Sequence, residues 1–168
     1  MLDTVHGAAE TRGAGGAILS PRGEGEGCAA LGTRHILKVP AEATGGSTSV
    51  AEVVVPPDGG TPLHRHGRED EVIQVIEGRV SLWCDGTLRE VGPGAVAWLP
   101  RGSVHAYRNT GDTEARITVT CLPGGFERFF FAVAAAGLQA PRDMPALAAL
   151  ARDYDLELLG PNPIPPRG

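Results

Sequence analysis

Between residues 47 and 122 the chain consists of short apolar runs separated by turn sequences. The runs are SVAEVVV, EVIQVI, RVSLWC, GAVAWL, VHAYRN and ARITVTCL, and the turns include PPDGG, CDGT, GPG and PRGS. Runs of this length, rich in β-branched residues and bounded by Gly, Pro and Asp, predict strands. A further strand is predicted at Thr33–Val39, and Asp85-Gly86 predicts a two-residue hairpin. Because no alternation of strand and helix patterns precedes residue 122, we predict an antiparallel sheet closed as a sandwich or barrel over residues 33–122.

After Pro123 the apolar spacing changes to the three and four residues that are typical of a helix. The first such face comprises Phe126, Phe129, Phe130 and Val133. The second comprises Leu147, Leu150, Ala151 and Tyr154, within DMPALAALARDYDLELL. Asp143 is the expected N-cap of that segment, with Pro145 in its first turn. We predict that residues 123–168 form a helical extension, packed outside the barrel or at a subunit contact, with an irregular tail.

Residues 1–30 are rich in Gly, Ala and Glu and have no sustained period, so they are predicted to form a loosely ordered arm. The whole chain of 168 residues has the size of a single domain. His6 lies in the arm and His35 in the first predicted strand, and we expect both to be ordinary surface or packing residues.

Charge and cysteine content exclude several classes of function. The net charge is -5 and the basic residues are scattered, which argues against a nucleic-acid partner and favours a small-molecule substrate. The three cysteines show no CxxC spacing, so neither a disulfide framework nor a zinc-thiolate site is expected. No secretory signal or bilayer-length apolar run is present. We therefore expect a cytoplasmic protein without membrane association.

Histidines and carboxylates are concentrated in the middle of the chain. His64 and His66 are one residue apart, which places both imidazoles on the same face of a strand. Glu69, Asp70 and Glu71 follow them, and His105 comes after the turn PRGS. Three nitrogen ligands and one oxygen ligand suit a divalent transition metal, and they leave one or two coordination positions open, as in a catalytic site.

The spacing of these residues resembles the two signature motifs of the cupin superfamily. The second motif is matched throughout, and it comprises Gly94, Pro100, Gly102, His105 and Asn109. In the first, His64, His66, Glu71 and Gly78 have the family's spacing, whereas the leading Gly59 is displaced by one residue. The resemblance implies a jelly-roll β-barrel that holds one metal ion through His64, His66, Glu71 and His105. The glycines, Pro100 and Asn109 are then turn and scaffold residues.

Asp70 and Glu69 are the alternatives to Glu71 as the carboxylate ligand. We prefer Glu71 because strand alternation places it on one face with Ile73 and Val75, and Val72 and Gln74 on the other. Glu69 and Asp70 are then expected to be solvated charges at the mouth of the barrel.

The resemblance extends to longer stretches, which indicate a group of small single-domain bacterial cupins described as quercetin 2,3-dioxygenase-like. These stretches are TGGSTSVAEVVVPPDGGTPLHRHGREDE, PGGFERFF and LARDYDLELLGP. The group implies an oxidoreductase, namely a mononuclear dioxygenase acting on a small aromatic or enol-bearing substrate, and a homodimer. Iron is the first expectation for the metal, with manganese, nickel, cobalt, copper and zinc as alternatives. Glu71 is the expected catalytic base when it leaves the metal.

Four residues are predicted to line the substrate pocket: Tyr107, Trp98, Trp83 and Gln74. Tyr107 stands two residues after His105 and should share its face. Two other functions remain open. One is a metal-dependent isomerase or cyclase of the kind associated with polyketide pathways, and the other is a cupin that binds a small ligand without chemistry.

Overall fold

The computed structural model describes residues 11–12 and 16–167, and its described part is built mainly from antiparallel strands. Six strands form one sheet in the spatial order β10-β7-β12-β5-β4-β3. Their ranges are β3 Glu26–Ala30, β4 Thr33–Val39, β5 Ser49–Val55, β7 Asp70–Glu77, β10 Val96–Leu99 and β12 Ala115–Leu122. All adjacent pairs run antiparallel, as the turn-rich sequence predicts.

A second sheet faces the first and contains five strands in the order β13-β6-β11-β8-β9. Their ranges are β6 Leu63–His66, β8 Val80–Cys84, β9 Thr87–Val91, β11 His105–Asn109 and β13 Leu156–Gly160. Strands β8 and β9 form the predicted hairpin, in which Asp85 and Gly86 have φ angles of 45° and 86°. Two positive φ angles are what a type I′ turn requires.

The interior between the two sheets is filled by aliphatic side chains from both of them. Val53, Ile73 and Ile117 from the first sheet pack with Val80 and Tyr107 from the second. In β7 the buried Ile73 and Val75 alternate with the exposed Gln74 and Ile76, as expected for two sheets packed face to face. This arrangement confirms the predicted all-β, jelly-roll class of fold.

Two helices follow the barrel strands: α1, Glu127–Ala135, and α2, Met144–Arg152. They share a second apolar cluster with Ala30 of β3 and Leu156 of β13, so they close the side of the barrel where those strands lie. Asp143 is the N-cap of α2, as predicted, although its side chain makes no capping hydrogen bond. In the part of the chain that the structure describes, no helix has the length and apolarity needed to cross a membrane.

The predicted helical character of the extension is wrong beyond Arg152, where the chain returns as strand β13. Leu156 is buried and Glu157 is exposed, a period-two pattern, and Leu156 pairs with His66 across the strands. Pairing with the free edge of β6 satisfies backbone groups that a longer helix would leave on that edge. The tail after Gly160 is irregular, as predicted, but Ile164 is buried and accepts a hydrogen bond from the Arg108 Nε.

The predicted loosely ordered arm over residues 1–30 is also wrong in its last part. Glu26–Ala30 is strand β3, which pairs with β4 at the edge of the large sheet. Upstream of it, β1 Thr11–Arg12 pairs with β2 Ile18–Leu19. The pairing with β4 supplies hydrogen bonds that local composition does not reveal. His6 and the rest of residues 1–10 and 13–15 lie outside the described residues.

Candidate metal centre

Three strands and one tight turn bring the predicted ligands together. His64 and His66 lie on β6, Glu71 on β7 and His105 on β11, and His105 is directly opposite His64 in the strand register. The turn before β11 is tied to β6 because the Gly102 N–H donates to the His66 carbonyl at 2.8 Å. Gly102 has a φ angle of 84°, a left-handed conformation that suits glycine. The second motif therefore fixes both the position and the direction of His105.

The four predicted ligands form one buried cluster. One donor atom from each of His64, His66, Glu71 and His105 lies within 4.8 Å of the others. The His105 Nε2 is 2.9 Å from the Glu71 Oε2, and the His66 Nε2 is 4.0 Å from the same oxygen. Metal–ligand bonds of about 2.0–2.2 Å place neighbouring ligand atoms about 3 Å apart, so the cluster has the dimensions of one coordination sphere.

The hydrogen bonds of the imidazoles present the correct nitrogens to an ion. The Nδ1 of His64 is 2.8 Å from the Pro62 carbonyl, and the Nδ1 of His105 is 3.2 Å from the Ser103 carbonyl. Carbonyls only accept, so both Nδ1 atoms carry the proton when the rings are neutral. The Nε2 of His64 can then ligate, and the Nε2 of His105 can ligate when it does not donate to Glu71. Among the described residues the buried Nε2 of His66 has no hydrogen-bond partner. A metal ion would satisfy this nitrogen, and the residues present therefore fit the predicted metal.

The pKa values of His64 and Glu71 favour the binding of a cation at neutral pH. Burial, with the neighbouring His105 and His66, lowers the pKa of His64 to about 3, so its imidazole is neutral. For Glu71, burial raises the pKa, but the hydrogen bond from His105 and the nearby histidine charges outweigh it and lower the pKa to about 2. Glu71 is thus an anionic ligand, and protonation does not compete with metal binding near pH 7.

The prediction that Glu69 is a solvated charge at the mouth of the barrel is wrong, because Glu69 is fully buried. Its Oε2 lies 3.4 Å from the Nδ1 of His66, and its Oε1 accepts a hydrogen bond from the Arg68 Nε at 2.8 Å. A carboxylate behind a ligating histidine fixes the ring and raises its basicity. Asp70 is partly exposed and pairs with Arg101, in better agreement with the expected position at the mouth.

A cavity of about 570 Å³ adjoins the cluster and has a predominantly apolar wall. Its volume falls within the range of small-molecule pockets, about 300–1,000 Å³. The residues that line it include His64, Glu71, Tyr107, Phe126, Phe130 and His35. Burial and the charge of Glu71 raise the pKa of Tyr107, so its phenol stays protonated and can donate a hydrogen bond into the cavity.

Of the four predicted pocket residues, only Tyr107 lines this cavity. Trp98 is 57% exposed and Gln74 is also exposed, on strands β10 and β7. Trp83 is half-buried on β8, where its neighbours Leu82 and Cys84 are the residues that pack on the core. The alternation that puts Glu71 and Ile73 inside necessarily puts Gln74 outside, and Trp98 pairs with the outward Val72. The prediction for these three residues is wrong.

The aromatic wall of the cavity and the position of His35 were not predicted from the sequence. Phe126 packs edge-on against His66 with ring centroids 4.3 Å apart, and Phe129 and Phe130 extend this cluster. The helical spacing of these phenylalanines indicates a buried face, but not that the face meets the cavity. His35 could have been found from β4, where Thr33, His35 and Leu37 alternate and therefore point to one side.

Comparison with known families identifies the central part of the chain. Residues 51–121 match the family model described as Cupin domain. The matched segment includes most of β5, strands β6 to β11 and most of β12, and it contains all four residues of the candidate metal centre. This segment is therefore similar to a cupin domain, in agreement with the fold described above.

Curated relatives are similar over part of the chain. An uncharacterized protein of Methanocaldococcus jannaschii is 31% identical over 75 residues, which are 45% of this chain and 60% of that protein. The quercetin 2,3-dioxygenase of Bacillus subtilis is 33% identical over 67 residues, 40% of this chain and 20% of that enzyme. The chain thus spans less than two thirds of the length of these relatives.

Solved structures show the same fold. An RmlC-like cupin from Shewanella frigidimarina superposes with a TM-score of 0.54 at 17% sequence identity. The superposition covers 63% of this chain and 90% of that protein. At this level of identity the likeness concerns the fold.

Proposed function

We propose that this cupin-domain protein is a mononuclear metal-dependent dioxygenase that acts on a small aromatic or enol-bearing substrate. One observation carries the proposal: His64 and Glu71 belong both to the buried ligand cluster and to the wall of an apolar cavity. A substrate in that cavity would meet the metal directly. The apolar wall would favour flat, hydrophobic molecules over charged or strongly hydrated ones.

A divalent metal held by His64, His66, Glu71 and His105 would polarise an enol or phenol oxygen and make its proton more acidic. The protein residues around it have separate tasks. The neutral imidazole of His64 and the anionic Glu71 would hold the ion, while the phenylalanine cluster beside His66 keeps water from that side. The protonated phenol of Tyr107 can orient a substrate oxygen by donating a hydrogen bond.

The predicted role of Glu71 as catalytic base has a definite structural requirement. The hydrogen bond from the His105 Nε2, together with the histidine charges, lowers the pKa of Glu71 to about 2. In a loaded site that nitrogen would bind the ion and could not donate to Glu71. Glu71 would therefore be available as a base for a substrate proton only after leaving the ion.

The similarity to the Bacillus quercetin 2,3-dioxygenase, 33% over 67 residues, supports the proposal. The segment that matches the cupin family contains the four candidate ligands. Chemistry supports it as well: three imidazoles and a carboxylate with open positions suit iron and the other transition metals named above. The same ligands would also serve an isomerase or cyclase, so dependence on dioxygen is the property to measure.

The experiment is anaerobic reconstitution with iron(II), followed by measurement of oxygen consumption with quercetin and a panel of simpler enols and phenols. We expect a substrate-dependent uptake of oxygen that is lost in the His64→Ala protein. Conversion of a substrate at equal rates with and without oxygen would contradict the dioxygenase assignment and favour an isomerase or cyclase. Binding of metal and probe with no conversion of any compound would indicate a ligand-binding cupin.

A further inference from the structure

A second polar group lines the same cavity on a strand separate from the ligand cluster. His35 lies on β4 and is 3% exposed, and its ring stacks on Phe130 with centroids 3.7 Å apart and planes 19° apart. Strands β12 and β5 stand between β4 and the Glu71 strand β7. Three strand spacings of about 4.8 Å put the two strands about 14 Å apart along the sheet. His35 and Glu71 therefore contact different parts of the cavity.

The hydrogen bonds of Thr33 determine which nitrogen of His35 carries the proton. The Oγ1 of Thr33 donates to the Ala30 carbonyl at 3.0 Å, and the same oxygen is 2.8 Å from the Nε2 of His35. A hydroxyl has one proton, which the carbonyl already receives, so the Nε2–H of His35 must be the donor to Thr33. In the neutral ring the Nδ1 is consequently a free acceptor.

Within the described part of the chain, the Nδ1 of His35 is a polar atom without a partner in the wall of a largely apolar cavity. Among the described residues no hydrogen-bond partner of the Nδ1 is present, and the ring forms part of the cavity wall together with Val53 and Phe130. Burial lowers the pKa of His35 to about 3, so the ring stays neutral and its Nδ1 keeps the lone pair at neutral pH. A free acceptor in the wall of a largely apolar cavity favours a ligand that brings a matching donor.

We propose that His35 is a specificity-determining residue whose Nδ1 accepts a hydrogen bond from a hydroxyl or N–H group of the bound ligand. The ligand class is a flat aromatic molecule that carries a donor on the part that packs along Phe130. One part of this proposal rests on the proposed function, namely that the other end of the ligand binds the metal. The His35 subsite itself depends on Thr33, Phe130 and the cavity, none of which requires the metal.

Two probes that differ in one donor test the proposal. The affinities of 2-naphthol and 2-methoxynaphthalene are measured by fluorescence titration, with both metal-loaded and chelator-treated protein. We expect the wild-type protein to prefer 2-naphthol by about fivefold or more, the effect of one buried hydrogen bond. His35→Phe, which keeps an aromatic ring against Phe130, should abolish this preference. Thr33→Val removes the oxygen that accepts the Nε2–H of His35, so the proton can move to Nδ1, and the preference for 2-naphthol should fall.

Equal affinity of the two probes for the wild-type protein, no binding of 2-naphthol, or an unchanged preference in His35→Phe would overturn the proposal. An independent measurement on the unmodified chain is the 15N spectrum of the histidine rings. It should show the Nε2-protonated tautomer for His35, and a proton on Nδ1 would contradict the assignment. A preference that persists in chelator-treated protein supports the subsite even if the metal-dependent reaction is absent, so the two proposals fail separately.

Discussion

At the scale of single residues, the ligand cluster depends on side chains that do not touch the metal position themselves. Glu69 is the clearest case, because it is fully buried and its Oε2 lies 3.4 Å from the Nδ1 of His66. Two carboxylates, Glu69 and Glu71, therefore stand on opposite sides of the same imidazole. The first is placed to orient the ring, and the second would share its coordination sphere on a bound ion.

Glu69→Gln should weaken metal binding by about 10- to 100-fold, because the amide no longer supplies the charge that holds and polarises His66. Competition with a fluorescent chelator measures this change. Glu157→Gln is the matched control, since Glu157 carries the same group on an exposed surface in an ion pair with Arg65. Equal metal affinity in both variants and the wild-type protein would show that Glu69 has no positioning role.

His35 makes folding stability dependent on pH. Its pKa is lowered from 6.5 to about 3 by burial, so between these values the unfolded chain binds one proton that the folded chain does not. Stability from this residue is fully present above pH 6.5 and is lost as the pH falls towards 3. The free energy of unfolding should rise with pH by about 1.4 kcal/mol per pH unit more steeply in the wild-type protein than in His35→Phe. Urea unfolding of metal-free samples at several pH values measures the two slopes, and parallel slopes would contradict the buried, neutral histidine.

At the scale of elements, the second motif works as a set of turn anchors around β11. Asn109, at the end of that strand, is fully buried and donates to the carbonyls of Val55 and Thr113. Its Oδ1 accepts from the Gly111 N–H at 2.9 Å. One side chain thus joins β5, β11 and the loop that leads to β12. The strand that carries His105 is held at both ends, by this residue and by the turn at Gly102.

Asn109→Ala should lower the free energy of unfolding by about 2–3 kcal/mol, because it leaves buried backbone groups without partners. Denaturant unfolding checks the value. Thr110→Ala is the neighbouring control, since Thr110 makes longer hydrogen bonds to Ser81 and Glu90, and we expect a change below about 1 kcal/mol. Similar values for the two variants would remove the anchoring role of Asn109.

Helix α1 is linked to the ligand cluster through its N-cap residue. Phe126 is 4% exposed and contacts His66, Phe129 and Phe130. Phe126→Ala should cost about 3–5 kcal/mol of stability because it leaves a cavity in this cluster. Phe131→Ala, the same change at a half-buried position that contacts Arg128, should cost less than about 1 kcal/mol. Thermal unfolding separates the two expectations, and a loss below 1 kcal/mol for Phe126→Ala would mean that α1 does not support the site.

At the scale of the whole molecule, the sequence predicts what is local and misses what depends on distant pairing. The strands from Ser49 to Leu122 and the convergence of the four ligands follow from period-two alternation and motif spacing, and the structure agrees. Strand β13 pairs with β6 and strand β3 pairs with β4, and neither short segment shows in its own sequence which strand it pairs with. The inward position of Glu69 likewise depends on Arg68 and His66 around it. The homodimer implied by the family resemblance stays a prediction.

The central claim is that His64, His66, Glu71 and His105 hold one metal ion, and elemental analysis of the purified protein tests it most directly. We predict about one equivalent of a divalent transition metal per chain in the wild-type protein and in His35→Phe, which removes a buried histidine outside the cluster. We predict its loss in His64→Ala and His105→Ala, with circular dichroism confirming that each variant is folded. A folded wild-type protein that retains no metal after growth and reconstitution with iron(II), or variants that retain as much as the wild type, would contradict the account.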